Sequence, residues 1–148
     1  MARQEIDIRT TTPADPAVVW RLLGDSSTWT SWTPVETFAP ERSGGPDGLG
    51  EIRVFKTGRV VVREEIVERV PERRLTYVLL SGLALRNYRA EIDVSATPAG
   101  GTSIRWHTTF EPKLPGSGRL YRRALERVTR QFVDGLARHA AWEGRAGG

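Results

Sequence analysis

The spacing of apolar residues changes period twice along the chain. Residues 3–10 (RQEIDIRT) alternate polar and apolar, with Ile6 and Ile8 on one face, and so predict a strand. After TTPADP, the segment AVVWRLLGD carries Val18, Val19, Leu22 and Leu23 at helical spacing. Asp15 can cap this helix, Pro16 suits its first position, and Gly24 stops it. SSTWTSW predicts a second short helix or turn, ended by Pro34. Period two then takes over: residues 35–40, 52–57, 60–70, 74–81, 85–97 and 102–113 each read as strands. Turn-rich tracts separate them: RSGGPDGLG, Gly58, VPER, Ser81-Gly82 and TPAGG.

The last segment returns to the helical period. Tyr121, Leu125, Val128, Phe132 and Leu136 fall on one face, and Arg119, Arg122, Arg123, Arg127 and Arg130 on the other. This predicts one amphipathic helix over residues 117–142, about 38 Å long at the standard helical rise. Six consecutive strands joined by short turns make an antiparallel meander, and a long helix with one apolar face must lie across it. The expected fold is α+β: a curved antiparallel sheet of about seven strands, in the order β-α-α-β-β-β-β-β-β-α, wrapped around the C-terminal helix. A single domain is expected over 1–148, with its core at 3–143 and a loose, disordered tail at 144–148.

The order of these segments resembles the START-like, helix-grip superfamily (SRPBCC), in particular its polyketide cyclase/dehydrase and lipid-transport branch. PADPAVVWRLLGD is similar to the strand-to-helix passage of that family, and TWTSWTP to its short Trp-containing helix. REEIVERVPERRLTYVLLSG resembles its long strand, Pro turn and following strand. GGTSIRWHTTFEP resembles its last strand, and DGLARHA the end of its terminal helix. The resemblance covers about residues 3–143. It implies a cavity between the concave sheet face and the long helix. It does not fix an activity, because one such scaffold hosts carriers, receptors and enzymes.

Composition narrows the chemistry. With no cysteine, the chain has no disulfide framework, thiol catalysis or Cys-based metal site, and two histidines do not make a histidine-rich one. No metal or other cofactor is therefore expected. No stretch approaches the roughly 20 apolar residues of a membrane span, and the N-terminus is charged where a signal peptide is apolar. A cytoplasmic protein without stable membrane insertion is the expectation. The net charge of +4 is local: residues 119–148 carry seven arginines against Glu126, Asp134 and Glu143, whereas the rest of the chain balances.

Strand alternation nominates the cavity residues. Val60, Val62 and Ile66 share one phase, as do Leu75, Tyr77 and Leu79; Tyr88, Ala90, Ile92 and Val94; and Ile104, Trp106, Thr108 and Phe110. Tyr121, Leu125, Val128 and Phe132 come from the helix, and Trp29 and Trp32 are expected at the mouth. Ordinary core packing explains each position equally well. Glu64 falls on the Val62 and Ile66 face, where desolvation would suit it to anchor a ligand or to move protons. A one-residue slip would instead leave Glu64 in solvent and turn Arg63 or Glu65 inward. Glu64 and Tyr88 are the candidate catalytic groups, with Tyr77 and Thr108 as further proton carriers. His107 is expected on the outer face, His139 in the apolar centre of the last helix, and Arg86, Asn87 and Arg89 in solvent. The SGGPDGLG tract lacks the ending of a phosphate loop and reads as a hairpin loop near the cavity entrance.

Three functions compete. The first is binding of a small hydrophobic or aromatic molecule (a lipid, isoprenoid or polyketide) by a monomer or homodimer. The second is a cyclase/aromatase-type enzyme using the same cavity. The third is binding of an anionic membrane or nucleic acid by the arginine face of the last helix. Glu126 and Asp134 interrupt that face and no aromatic residues interleave to stack bases, so nucleic acid is not expected.

Overall fold

The computed structural model describes residues 3–146. Strand β1 (Gln4–Thr12) leads through helix α1 (Pro16–Gly24), a single 3-10 turn (Ser26–Thr28) and the one-turn helix α2 (Trp29–Trp32). The meander follows: β2 (Thr37–Arg42), β3 (Ile52–Thr57), β4 (Val60–Val70), β5 (Arg74–Ser81), β6 (Leu85–Ala96) and β7 (Thr102–Pro112). Helix α3 (Gly118–Ala146) completes the chain. The seven strands form one antiparallel sheet in the order β1-β7-β6-β5-β4-β3-β2, so the first strand closes onto the last.

The expected α+β architecture is the observed one. The ends of β3, β4 and β5 coincide with the predicted ones, because tight turns leave no freedom between them. Gly58, at φ +60°, makes the β3–β4 reversal and pairs Thr57 with Val60. Asp15 occupies the N-cap of α1, but its side chain makes no capping bond there; Pro16 takes the first turn as expected.

Helix α3 packs chiefly on β1 and β7 and against α1. Its buried stripe is Thr129, Val133, Leu136 and Ala140, flanked by the half-buried Tyr121, Leu125, Phe132 and Ala137. Val128 is not part of it and is 40% exposed. The stripe is centred one position further on, at Thr129, a residue that a purely apolar reading assigns to solvent. The helix also continues through Gly144 to Ala146, where a loose tail was expected; residues 147–148 lie outside the described region. Gly135 sits where α3 crosses α2. A Cβ there would lie 1.9 Å from the Trp32 carbonyl oxygen, so only glycine permits this approach.

Candidate functional site

The site is built on the concave faces of β3–β7. Glu64 is on the inward phase of β4, beside Val62 and Ile66, and is buried. The β4–β5 pairing does shift at Arg63/Glu64, yet Glu64 remains turned in. A second shift, between Ile66 and Glu68, reverses the phase further along, so that Arg69 points back to α1 and donates to the Gly24 carbonyl at 2.7 Å. A third irregularity, between Arg86 and Arg89, places Asn87 at φ +52°. Asparagine tolerates this left-handed conformation. The extra residue lets both Leu85 and Tyr88 face the interior, while Arg86, Asn87 and Arg89 stay exposed as expected.

The main polar group of the site, Arg53, was missed. It is fully buried on β3, directly opposite Glu64, and its Nε donates to Glu64 Oε1 at 3.0 Å. Its Nη1 donates to Ser26 Oγ at 3.1 Å, and Ser26 Oγ in turn donates to Glu51 Oε1 at 3.2 Å. The guanidinium lies 3.9 Å above the Trp29 ring centroid, 4.6 Å from that of Tyr77 and 4.7 Å from that of Phe55. Aromatic faces carry partial negative charge and stabilise a cation that has lost its water. Nη2 is buried without a hydrogen-bond partner. The signal was present in the sequence: a two-residue turn at Gly58 sets Thr57 opposite Val60, and counting back from it sets Arg53 opposite Glu64.

Burial raises the Glu64 pKa above its ordinary value, and the Arg53 charge opposes that rise without cancelling it. Tyr77 and Tyr88 are both buried phenols pushed upward, chiefly by desolvation, so both stay protonated and can donate. Thr108 is fully buried, and its hydroxyl adjoins that of Tyr88. Glu64, Tyr77, Tyr88 and Thr108 are thus brought into one interior region with Arg53, and Phe110 packs beside Tyr88 at 6.4 Å.

Trp29 and Trp32 are not at the mouth. Both are buried, because each indole N–H finds a partner inside, the Leu23 carbonyl and Thr28 Oγ1, both at 3.1 Å. Trp29 lies 4.7 Å from Trp32, 5.3 Å from Phe55, 5.7 Å from Trp106 and 5.9 Å from Phe132, centroid to centroid. These rings fill the α2 end of the interior. Toward the first half of α3 the walls loosen: Val62, Leu79, Leu83, Tyr121 and Leu125 face inward but keep part of their surface exposed. These half-buried side chains border the interior between β4–β6 and the first half of α3. Val60, expected on the cavity wall, projects from the β3–β4 turn and is exposed.

The remaining candidates lie elsewhere. His107 is on the outer sheet face as expected, its Nε2 3.2 Å from Glu5 Oε2. His139 is half-buried rather than central, 3.4 Å from Glu143 and in ring contact with Trp142 beside an external groove of about 630 Å³. The glycine-rich loop, expected at a cavity entrance, packs Gly48 against Arg69 near the end of α1, at the end of the sheet opposite the β3–β4 turn. Among the described residues no cluster of His, Asp and Glu could hold a metal ion. Among those residues no helix is long and apolar enough to cross a membrane.

Comparison with known proteins bears on this arrangement. No curated protein matches the chain. Among solved structures, a Thermobifida fusca protein is 26% identical over 92% of both chains, with a TM-score of 0.78. The Zhui aromatase/cyclase of Streptomyces sp. R1128 is 16% identical over 99% of both chains, with a TM-score of 0.83. A START superfamily protein of Mycobacterium smegmatis is 11% identical, with a TM-score of 0.80, over 92% of this chain and 96% of the other. At the last two identities the likeness is one of fold. The profile described as "Polyketide cyclase / dehydrase and lipid transport" matches residues 3–141. The chain therefore belongs to the polyketide cyclase/dehydrase and lipid transport family and has the helix-grip fold.

Proposed function

We propose that the protein binds a small hydrophobic or aromatic molecule, of lipid, isoprenoid or polyketide-like character, between β4–β6 and the first half of α3. One observation carries this reading. Beneath the half-buried Val62, Leu79, Tyr121 and Leu125, the buried Arg53 keeps a guanidinium nitrogen, Nη2, without a hydrogen-bond partner. Buried polar atoms are nearly always paired, and apolar pockets with a few placed polar groups are the usual form of a ligand site. An oxygen on the ligand would complete Arg53 Nη2, while Val62, Leu79, Tyr121 and Leu125 would cover its apolar body.

A ligand that binds only the folded state must raise its stability. Thermal denaturation across a panel of fatty acids, isoprenoids and polycyclic phenols, with native mass spectrometry of the purified protein, is expected to give a rise in Tm or a retained mass. Leu125→Trp, which fills this region from the helix, is expected to abolish either signal with the fold intact. A protein that carries no mass and gains no stability from any compound refutes the reading.

The second reading is a cyclase-type enzyme, favoured by the raised Glu64 pKa beside Tyr88. Ionised Glu64 would take a proton from an activated carbon, and Tyr88 would hydrogen-bond the carbonyl oxygen on which charge develops. Turnover of a polyketide-like substrate that survives both Glu64→Gln and Tyr88→Phe would exclude these roles.

A further inference from the structure

Three chain reversals share one end of the sheet, beside the start of α3: the β3–β4 turn, the β5–β6 turn and the β7–α3 loop. Antiparallel order puts them at the same end of the sheet, and the Lys113 N–H bonds to the Ala84 carbonyl to join the last two. Leu120 is 73% exposed and Leu114 58%, and Val60, Val61 and Leu80 are exposed on the neighbouring turns. Residues 112–125 (PKLPGSGRLYRRAL) contain four cations and no carboxylate; Glu126, the next residue, lies 3.9 Å from Arg122, which leaves Lys113, Arg119 and Arg123 as the cations without a carboxylate on this segment. The KTGRVV and LLSGLAL turns have none either. Glu36, the carboxylate beside the first turn, is bonded to the Gly58 N–H, and Glu111 accepts from Asn87. The opposite end of the sheet carries Asp15, Asp47 and Glu72 in its loops. Gly116, Arg119, Leu120, Arg122 and Arg123 border an open depression of about 700 Å³ at the start of α3.

We propose that this end of the molecule docks on the surface of an anionic phospholipid bilayer. Leu114 and Leu120 would enter the interface, and Arg119, Arg122 and Arg123 would meet lipid phosphates. Two exposed leucines amid clustered arginines suit neither water nor an apolar protein partner. Together they match a surface with an apolar interior and a negative face. The docked face would adjoin the ligand region proposed above, so a ligand could pass between bilayer and protein without crossing water. The proposal does not depend on the ligand reading, because docking is measured with no ligand present.

Co-sedimentation of the full chain with phosphatidylglycerol/phosphatidylcholine vesicles, and with pure phosphatidylcholine vesicles, tests it. Binding is expected to the anionic vesicles only, and to weaken as salt rises to about 0.15 M and beyond. The double variant Leu114→Ser/Leu120→Ser should bind at least tenfold more weakly. Arg119→Gln/Arg122→Gln/Arg123→Gln should bind about a hundredfold more weakly. Arg73→Gln, at the far end of the sheet, should bind like the parent. These side chains are exposed, so circular dichroism should be unchanged in all of them. Absence of binding to anionic vesicles, or binding unaltered in the leucine and arginine variants, overturns the proposal. So does a solution dimer dissolved by the leucine changes, since a second copy of the chain would then be the occupant.

Discussion

Arg53 and Glu64 cost the fold desolvation and return a positioned charge. Removing one partner of a buried ion pair strands the other, and Arg53→Met is expected to destabilise the protein by about 3–5 kcal/mol in urea at neutral pH. The loss should shrink in acid. Glu64 already has its pKa raised above 4.5 by burial, and without Arg53 it rises further. A group with a raised folded pKa contributes its stability fully below its unfolded value, and that contribution is lost as pH rises through the folded value. Stability of Arg53→Met should therefore fall more steeply than that of the parent as pH climbs from about 4.5. Replacing both partners by Met and Leu should restore most of the stability and flatten the dependence. A single variant no weaker at pH 7 than in acid would show that Glu64 does not depend on its partner.

Elements join where side chains are small or satisfied. Gly135 lets α3 ride against the Trp32 carbonyl, so Gly135→Ala must push α2 away and with it the Trp29 cluster. A cost of about 1–3 kcal/mol is expected from such overpacking, read as a lower Tm with unchanged helical content. A parent-like Tm would mean that α2 yields freely. At this scale the sequence is most readable. Turns such as Gly58 and Ser81-Gly82 punctuate alternating strands, so β3, β4 and β5 could be placed to the residue. What alternation cannot carry is a change of phase: the shifts at Arg63/Glu64, Ile66/Glu68 and Arg86/Arg89 depend on how two strands pair, not on either alone. A polar residue can likewise hide in an apolar stripe. Thr129 belongs to the buried face of α3 and Val128 does not. Arg53 was overlooked for the same reason, since a charge on an inward phase reads as an error until its partner is placed. Trp29 and Trp32, expected at the mouth, lie inside because both N–H groups find internal acceptors that the sequence alone does not reveal.

Across the whole molecule the two ends differ in kind. One carries Asp15, Asp47 and Glu72 in its loops. The other exposes apolar and cationic side chains, so the modest net charge of +4 understates the polarity of the surface. The aromatic cluster in the interior has an optical consequence. Trp29, Trp32 and Trp106 lie within 4.7 to 6.4 Å of one another in fixed, non-parallel orientations. Transition dipoles this close couple, so the folded protein should show a strong exciton signature in near-ultraviolet circular dichroism, largely erased by Trp29→Phe. Phe132 touches two of these rings and forms part of the helix wall. A molecule settling against that wall would therefore announce itself as a change of ellipticity, without any label.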